Sequence, residues 1–217
     1  MTTAVLLCAG KSSRFSKRSV NKTLYELNGK PLFMYSLEAF ENWGVDRVIL
    51  VVRNQERKAF EIFTRSFDNV EFSFGGERRQ DSVMNALSMI PNEEHVLIHD
   101  GARPMISKEL IERVASSISE KRCVVPMIPS DDALRIEKDG KLVTVDRSKV
   151  FRMQTPQGCI SGELKTLYRR FSDVHFYDDA AAFERAGLEI FPVEGDRKNV
   201  KITTQDDIKP WNVGNYE

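Results

Sequence analysis

Ala4-Val-Leu-Leu-Cys8-Ala-Gly10-Lys-Ser-Ser-Arg14-Phe15 is the stretch on which the interpretation of the fold depends. Residues 4–8 form a short apolar run, which predicts a fully buried strand. The small residues that follow predict a turn in which backbone N–H groups approach an anion closely, with Arg14 adding positive charge. A solvated basic loop without function is the alternative interpretation. The stretch favours an α/β fold whose first strand ends at a binding turn.

Strand-like and helix-like segments alternate along most of the chain. Further strands are predicted at 47–52, 70–74, 95–99 and 122–126. Helices are predicted at 31–44, 55–67, 80–90 and 107–119. Strands separated by helical segments of this length predict a mostly parallel sheet with helices on both faces. The spacing of Phe60, Phe63 and Phe67 predicts that these rings pack in the core.

Residues 132–153 interrupt the alternation. The runs 134–137 and 142–145 alternate apolar and polar residues around a Lys-Asp-Gly-Lys turn, which predicts a β-hairpin. A third short run, 149–153, follows. We expect one domain over residues 1–217 with a protruding β-arm at about 132–153, and a partner subunit that covers the arm.

Composition and charge narrow the class of protein. The 217 residues include 32 Lys+Arg and 32 Asp+Glu, so the formal net charge is zero. A disordered chain usually carries a large net charge and a general nucleic-acid binder a strong basic excess, so this balance argues against both classes. No apolar run approaches the ~20 residues that cross a bilayer, so we expect no membrane partner and a cytoplasmic location. Cys8, Cys123 and Cys159 are expected to be free thiols in a reducing compartment.

Two later strand-to-helix junctions carry candidate binding residues. In Gly75-Gly-Glu-Arg-Arg-Gln-Asp-Ser-Val83, paired glycines permit close backbone approach, while Glu77 and Ser82 could read a base edge. A helix N-cap at Asp81 or Ser82 is the alternative. Asp100 directly follows a predicted strand, where a carboxylate suits a ribose hydroxyl or a magnesium ion, or alternatively a turn.

The ordered set of motifs resembles a known family. Cys-Ala-Gly with downstream Arg14 and Lys22 is followed by Gly-Gly-x-x-Arg-x-Asp-Ser-Val, His-Asp-x-Ala-Arg-Pro, Val-Asp-Arg, Gln-Thr-Pro-Gln and Asn-Val-Lys-Ile-Thr. The series is similar to that of 2-C-methyl-D-erythritol 4-phosphate cytidylyltransferases of the non-mevalonate isoprenoid pathway. The resemblance implies a Rossmann-like nucleotidyltransferase fold, transfer from CTP to this polyol phosphate, Mg²⁺ as cofactor, and a homodimer clasped by the arms.

The resemblance also implies residue roles. Arg14 and Lys22 match the pair that stabilises the transition state, whereas Arg147 and Lys201 match the pair that positions the acceptor phosphate. The positions that match cytidine-binding ones are Ala9, Gly10, Gly76, Glu77 and Ser82. Asp100 matches a position beside ribose and metal. The positions that fall near the sugar phosphate are Arg103 and Asp178.

The chain departs from the family's usual residues at six positions, which are Ser12, Asn21, Glu77, Gly101, Ala133 and Tyr177. A glycine is usual at the first and a proline at the second. The last two, where threonines are usual, fall on the acceptor side. Two alternatives therefore stay open: a ribitol-5-phosphate cytidylyltransferase, or a non-catalytic nucleotide-binding relative. The presence of both charge pairs favours an enzyme.

Overall fold

A computed structural model describes residues 1–15 and 21–213. The strands are β1 (Thr2–Leu7), β2 (Glu26–Leu27), β3 (Lys30–Pro31), β4 (Arg47–Val52), β5 (Val70–Phe74), β6 (His95–Asp100), β7 (Arg122–Pro129), β8 (Arg135–Lys138), β9 (Lys141–Thr144), β10 (Phe151–Met153), β11 (Gln157–Ile160) and β12 (Glu189–Glu194). The α-helices are α1 (Leu32–Trp43), α2 (Arg57–Thr64), α3 (Arg79–Leu87), α4 (Lys108–Ala115), α5 (Ser161–Arg170) and α6 (Ala180–Arg185).

Within the described residues, the central sheet has eight strands with β1 in its interior. β1 pairs in parallel with β4 and β6, and β5 pairs in parallel with β4. β11 lies antiparallel between β6 and β7, while β12 pairs in parallel with β7. The prediction of a mostly parallel sheet is confirmed. Because β1, β4, β5 and β6 point the same way, the loops after them meet at one edge.

Helices cover both faces of the sheet, as predicted. Successive residues of a strand point to opposite faces, so Leu6 packs in the cluster formed with α1, α2 and α4. Val5 packs in the other cluster, with α3, α5 and α6. Each fully buried aliphatic side chain of this kind contributes about 1.5–3 kcal/mol to folding. The two-sided core fixes the strand ends that carry the site.

Local signals set the ends of α1 but overestimate the length of α2. Pro31 is the N-cap of α1, and Gly44 ends it at a φ of 95°, in the left-handed region that glycine tolerates. α2 stops at Thr64, so Phe67 lies beyond the helix and is only partly buried. Phe60 is fully buried, whereas Phe63 is 37% exposed. The core prediction is right for Phe60 and wrong for Phe63.

The hairpin forms as predicted, but the third run is not part of it. β8 and β9 make a separate antiparallel pair whose residues are exposed, with Asp139 and Gly140 both at positive φ in the turn. β10 instead pairs antiparallel with Met127–Pro129 of β7 in the central sheet. β7 runs three residues past its predicted end, and these three residues form the edge that pairs with β10.

In the described part of the chain, no helix is long and apolar enough to cross a membrane.

Candidate functional site

A cavity of about 540 Å³ opens where the loops after β1, β4, β5 and β6 meet. Such crevices at the carboxyl ends of parallel strands are the usual ligand sites of open α/β sheets. The lining includes the predicted site residues Ala9, Gly10, Arg14, Lys22, Gly76, Glu77, Ser82, Asp100 and Lys201. The structure therefore brings together residues that are as much as 192 positions apart in sequence.

The turn after β1 is a small-residue wall of the cavity. Residues 9–14 all line it. Gly10 has open space where a Cβ would stand. Ser12 adopts a φ of 53°, a left-handed conformation that favours glycine, which accounts for the glycine usual in the resembling family. The wall can present backbone N–H groups to an anion, as the sequence predicts.

Lys22 enters the cavity from a 3₁₀ turn, Lys22–Leu24. Its ammonium Nζ donates to the Ile202 carbonyl oxygen at 2.6 Å. Burial, together with the positive charges of Lys201 and Arg14, lowers the pKa of Lys22 from 10.5 to about 8, against the opposing effect of nearby carboxylates. The ammonium is poorly solvated in this position, so binding of a polyanion would reduce the free-energy cost of keeping it charged.

Asp100 supplies the negative charge of the site. Its Oδ2 lies 2.8 Å from Lys201 Nζ and 3.5 Å from Arg103 Nε. Burial alone would raise the pKa of Asp100, but Lys201, Arg79 and Arg103 together hold it well below its usual range. Asp100 is therefore ionised at neutral pH.

A chain of hydrogen bonds fixes the turn that carries Asp100. Burial lowers the pKa of His99 to about 4, so its ring is neutral at pH 7. Its Nε2 lies 3.2 Å from the Arg103 carbonyl oxygen, which can only accept, so Nε2 carries the proton. Nδ1 then accepts from the Thr155 hydroxyl at 3.1 Å, and the hydroxyl oxygen accepts from the Asp100 N–H at 3.1 Å.

Cys8 packs beneath this turn and explains a sequence departure. A Cβ on Gly101 would lie 2.5 Å from Cys8 Sγ, so a larger residue there would require the Cys8 side chain to shift. Burial raises the pKa of the Cys8 thiol to about 12, so it stays neutral. All three cysteines are free and buried, as predicted.

The glycine pair after β5 makes the opposite wall. A Cβ on Gly75 would lie 2.4 Å from Ala9 Cβ, so both strand ends can meet only without a side chain there. Ser82 Oγ accepts from the Gly76 N–H at 2.9 Å and donates to the Arg78 carbonyl oxygen at 3.2 Å. The N-cap residue of α3 is Arg78, whose N–H donates to Asp81 Oδ2 at 3.0 Å, so neither Asp81 nor Ser82 is the N-cap that the alternative interpretation held.

The comparisons with known proteins agree with this geometry. The family model described as 2-C-methyl-D-erythritol 4-phosphate cytidylyltransferase matches residues 2–211. The chain belongs to this cytidylyltransferase family. A relative of that name from Bacillus cytotoxicus is 34% identical over 215 residues, covering 96% of this chain and 95% of the relative.

Solved structures show the same fold. The 4-diphosphocytidyl-2C-methyl-D-erythritol synthase of Anaerococcus prevotii matches with a TM-score of 0.85 at 25% identity, covering 97% of this chain and 94% of that one. The 2-C-methyl-D-erythritol 4-phosphate cytidylyltransferase of Thermus thermophilus matches with a TM-score of 0.79 at 26% identity, covering 96% of each. The predicted Rossmann-like nucleotidyltransferase fold is confirmed.

Three residues that the family resemblance assigns to the acceptor are outside the described lining of the cavity. Arg103 is buried beside it, donating to the Asn199 carbonyl oxygen at 2.8 Å. Asp178 accepts from Gln157 Nε2 at 2.9 Å and from the Ala181 N–H at 3.0 Å, at the start of α6. Arg147 is exposed at the base of the arm.

Arg79 lines the cavity but was not predicted from the sequence. Its guanidinium binds both oxygens of Asp179, at 2.9 and 2.7 Å. Asp179 is fully buried and also accepts from the Tyr168 hydroxyl at 2.6 Å. The signals that could have found this pair are the arginine of the Gly-Gly-x-x-Arg motif and the acidic pair at 178–179. The pair joins the cavity wall that follows β5 to the start of α6.

Removing Asp179 should destabilise the fold. Asp179→Ala leaves the Arg79 guanidinium without its buried counter-ion, so we expect a loss of about 3 kcal/mol or more in the free energy of unfolding, measured by urea denaturation. Asp178→Ala is the neighbouring control and should cost about 1 kcal/mol, the scale of a lost helix cap. Equal losses in the two variants would contradict the assignment.

Asp100 is the predicted metal ligand, and its surroundings suit one mode of binding. Among the described residues, no three His, Cys, Asp or Glu side chains form a group that could hold an ion. Mg²⁺ at nucleotide sites usually takes one or two carboxylates together with phosphate oxygens and water. An ionised carboxylate at the edge of a cavity lined by cations fits that shared mode.

Proposed function

We propose that this chain transfers a cytidylyl group from CTP to 2-C-methyl-D-erythritol 4-phosphate and releases pyrophosphate, as its family does in making isoprenoid precursors. The observation that carries the proposal is the convergence of Arg14, Lys22 and Lys201 on one cavity beside a small-residue turn. Both reactants are polyanions, so a site that joins them needs concentrated positive charge.

The reaction requires no side-chain nucleophile. A phosphate oxygen of the acceptor, ionised near neutrality, attacks the α-phosphorus of CTP. The bond from that phosphorus to the bridging oxygen breaks, and pyrophosphate leaves with the electron pair. Arg14 and Lys22 stabilise the five-coordinate centre and the leaving group more than the ground state, which lowers the barrier. The planar Arg14 fork suits two phosphate oxygens, and the Lys22 ammonium suits a single point of charge.

Asp100 would hold Mg²⁺ together with oxygens of the nucleotide. When bound, the ion supplies positive charge that neutralises the phosphate groups. Asp100 also suits a ribose hydroxyl, and Lys201 keeps its Oδ2 oriented. Thr155, which accepts from the Asp100 N–H, and His99, which donates to the Arg103 carbonyl oxygen, hold this turn in place.

The arm supports the proposal of a homodimer. Its apolar side chains Ile136, Leu142 and Val143 are 55%, 71% and 44% exposed. An isolated hairpin is marginal in water, so a second subunit would stabilise it by covering this face. Arg147 donates to the Asp131 carbonyl oxygen at the arm base, at 3.2 Å. In a two-fold dimer it would reach the neighbour's acceptor site, where Lys201, Arg103 and Asp178 contribute from within. We also propose a cytoplasmic location.

A coupled pyrophosphate-release assay tests the reaction and the open alternatives. Purified protein with CTP and Mg²⁺ should turn over 2-C-methyl-D-erythritol 4-phosphate. Turnover with ribitol 5-phosphate alone would reassign the acceptor. CTP binding by calorimetry without turnover of any polyol phosphate would favour the non-catalytic relative.

CTP should be preferred to UTP by about 100-fold in kcat/KM. The Ser82 hydroxyl donates to the Arg78 carbonyl oxygen and accepts from the Gly76 N–H, so it can only accept a further hydrogen bond. Cytosine presents a donor amine at position 4, whereas uracil presents an acceptor oxygen there. Together with Gly76 and Glu77, this wall should therefore reject uracil. Equal turnover of the two nucleotides would contradict the assignment of these residues to the base.

A further inference from the structure

Asn21 lies directly before Lys22 and is almost fully buried, with 2% of its surface exposed. Its Oδ1 accepts from the Thr23 N–H at 3.0 Å and from the Thr23 hydroxyl at 2.8 Å. Its Nδ2 donates to the Cys8 carbonyl oxygen at 2.7 Å and to Glu56 Oε2 at 2.7 Å. Both hydrogens and both lone pairs of this amide are used, which fixes its orientation.

These hydrogen bonds tie three segments of the site to one side chain. Cys8 is the residue that follows β1, and Glu56 belongs to the 3₁₀ turn that follows β4. Glu56 also accepts from Arg53 Nε at 2.9 Å, and Arg53 lines the cavity. The turn that carries Lys22 is thus anchored to two neighbouring strands of the sheet.

Lys22 needs such an anchor because its environment favours movement of its ammonium out of the cavity. Burial and the positive charges of Lys201 and Arg14 disfavour its ammonium, as its lowered pKa indicates. Its side chain has four rotatable bonds and could reach solvent from a loosened turn. Two contacts oppose this: its N–H donates to Ser12 Oγ at 3.1 Å, and its Nζ donates to the Ile202 carbonyl oxygen. Both depend on the position of the backbone that Asn21 holds.

We propose that Asn21 is a positioning residue for the reaction: it fixes the 3₁₀ turn so that Lys22 stays aimed into the cavity. The inference rests on the proposed function, in which Lys22 stabilises the transition state. Asn21 and Ser12 are two positions where this chain departs from the residues usual in its family, and both hold the Lys22 backbone. In this chain, the hydrogen bonds of Asn21 and Ser12 therefore hold the turn that carries Lys22 in place.

Asn21→Ala should lower kcat about tenfold while KM for CTP changes less than about twofold, because the interaction that is lost is made mainly in the transition state. The decisive experiment is a double-mutant cycle. In a Lys22→Ala background, Asn21→Ala should cost less than a further factor of about two, since the residue acts through Lys22. Asn69→Ala, which removes a partly buried amide at the opposite end of the sheet, is the matched control and should leave kcat unchanged.

A second readout does not depend on turnover. Acetic anhydride labelling followed by mass spectrometry should modify Lys22 several-fold faster in Asn21→Ala than in wild type, relative to the exposed Lys58. If Asn21→Ala does not fold, Asn21→Ser replaces it as the test variant. Serine keeps an oxygen that can accept from the Thr23 N–H but loses both amide donors. Additive losses in the cycle with unchanged labelling would overturn the inference. An inactive wild type would overturn the proposed function instead, and labelling alone would then decide the role of Asn21.

Discussion

Lys22→Ala is expected to lower kcat by about 100-fold or more, the scale of a lost electrostatic stabiliser in an enclosed site. Its ammonium lies in a cavity that it shares with Arg14 and Lys201, where a charge is worth more than in water. Arg14→Ala should have an effect of similar size. Pyrophosphate release at saturating CTP and acceptor measures both, whereas Arg147→Ala and Lys201→Ala should act mainly on KM for the acceptor.

Two controls sharpen this expectation. Lys58→Ala, on the exposed surface of α2, should leave kcat unchanged. The pH profile of kcat/KM in wild type should fall as pH rises through about 8, because Lys22 acts as a cation and its pKa is about 8 in the free protein. That basic limb should be absent in Lys22→Ala. Turnover within a factor of about two of wild type would remove Lys22 from the mechanism.

The sheet edge and the two small-residue walls of the cavity could be predicted because their signals are local. The buried run of β1 and the small residues after it lie within twelve residues of sequence. Once parallel strands are inferred, their carboxyl ends must share an edge, which places the turn at 9–14 and the glycines at 75–76 on the same edge of the sheet.

The rest depends on long-range contacts that a single sequence does not encode visibly. Arg79 and Asp179 are 100 residues apart, and neither lies in a pattern that predicts the other. Asn21 reads as an ordinary polar residue beside Lys22 until Cys8 and Glu56 are seen to surround its amide. Residues 154–213 lack the clear alternation of the first half, and β11 and β12 there are recognised only by their pairing with β6 and β7.

The residues proposed to bind the acceptor are also divided, in this case between the cavity and the arm. Of the two residues proposed to position the acceptor, Lys201 belongs to the described lining of the cavity, while Arg147 lies on the exposed base of the arm. One chain thus holds Arg14, Lys22 and Lys201 at its cavity and Arg147 outside it. A homodimer in which each arm serves the other subunit would complete the site.

Deleting the hairpin, residues 134–145, should yield a monomer that binds CTP but no longer turns over the acceptor. β8 and β9 pair only with each other among the described strands, so the central sheet does not depend on them. Light scattering measures the mass, calorimetry the CTP binding, and pyrophosphate release the turnover. An active monomer, in the wild type or in the deletion variant, would contradict the dimer proposal.

Mixing the Arg147→Ala and Lys22→Ala variants should restore activity at low acceptor concentration if the arms are exchanged. In a dimer of one Arg147→Ala chain and one Lys22→Ala chain, one site would receive the intact Arg147 from its neighbour and use its own intact Lys22. Random pairing makes about half of the dimers mixed, each with one working site, so about a quarter of wild-type activity should return when acceptor is kept well below KM. If Arg147 serves its own subunit, neither site of the mixed dimer is complete and no activity returns. Because the two arrangements require the same residues, only this pairing of defects separates a shared site from a self-contained one.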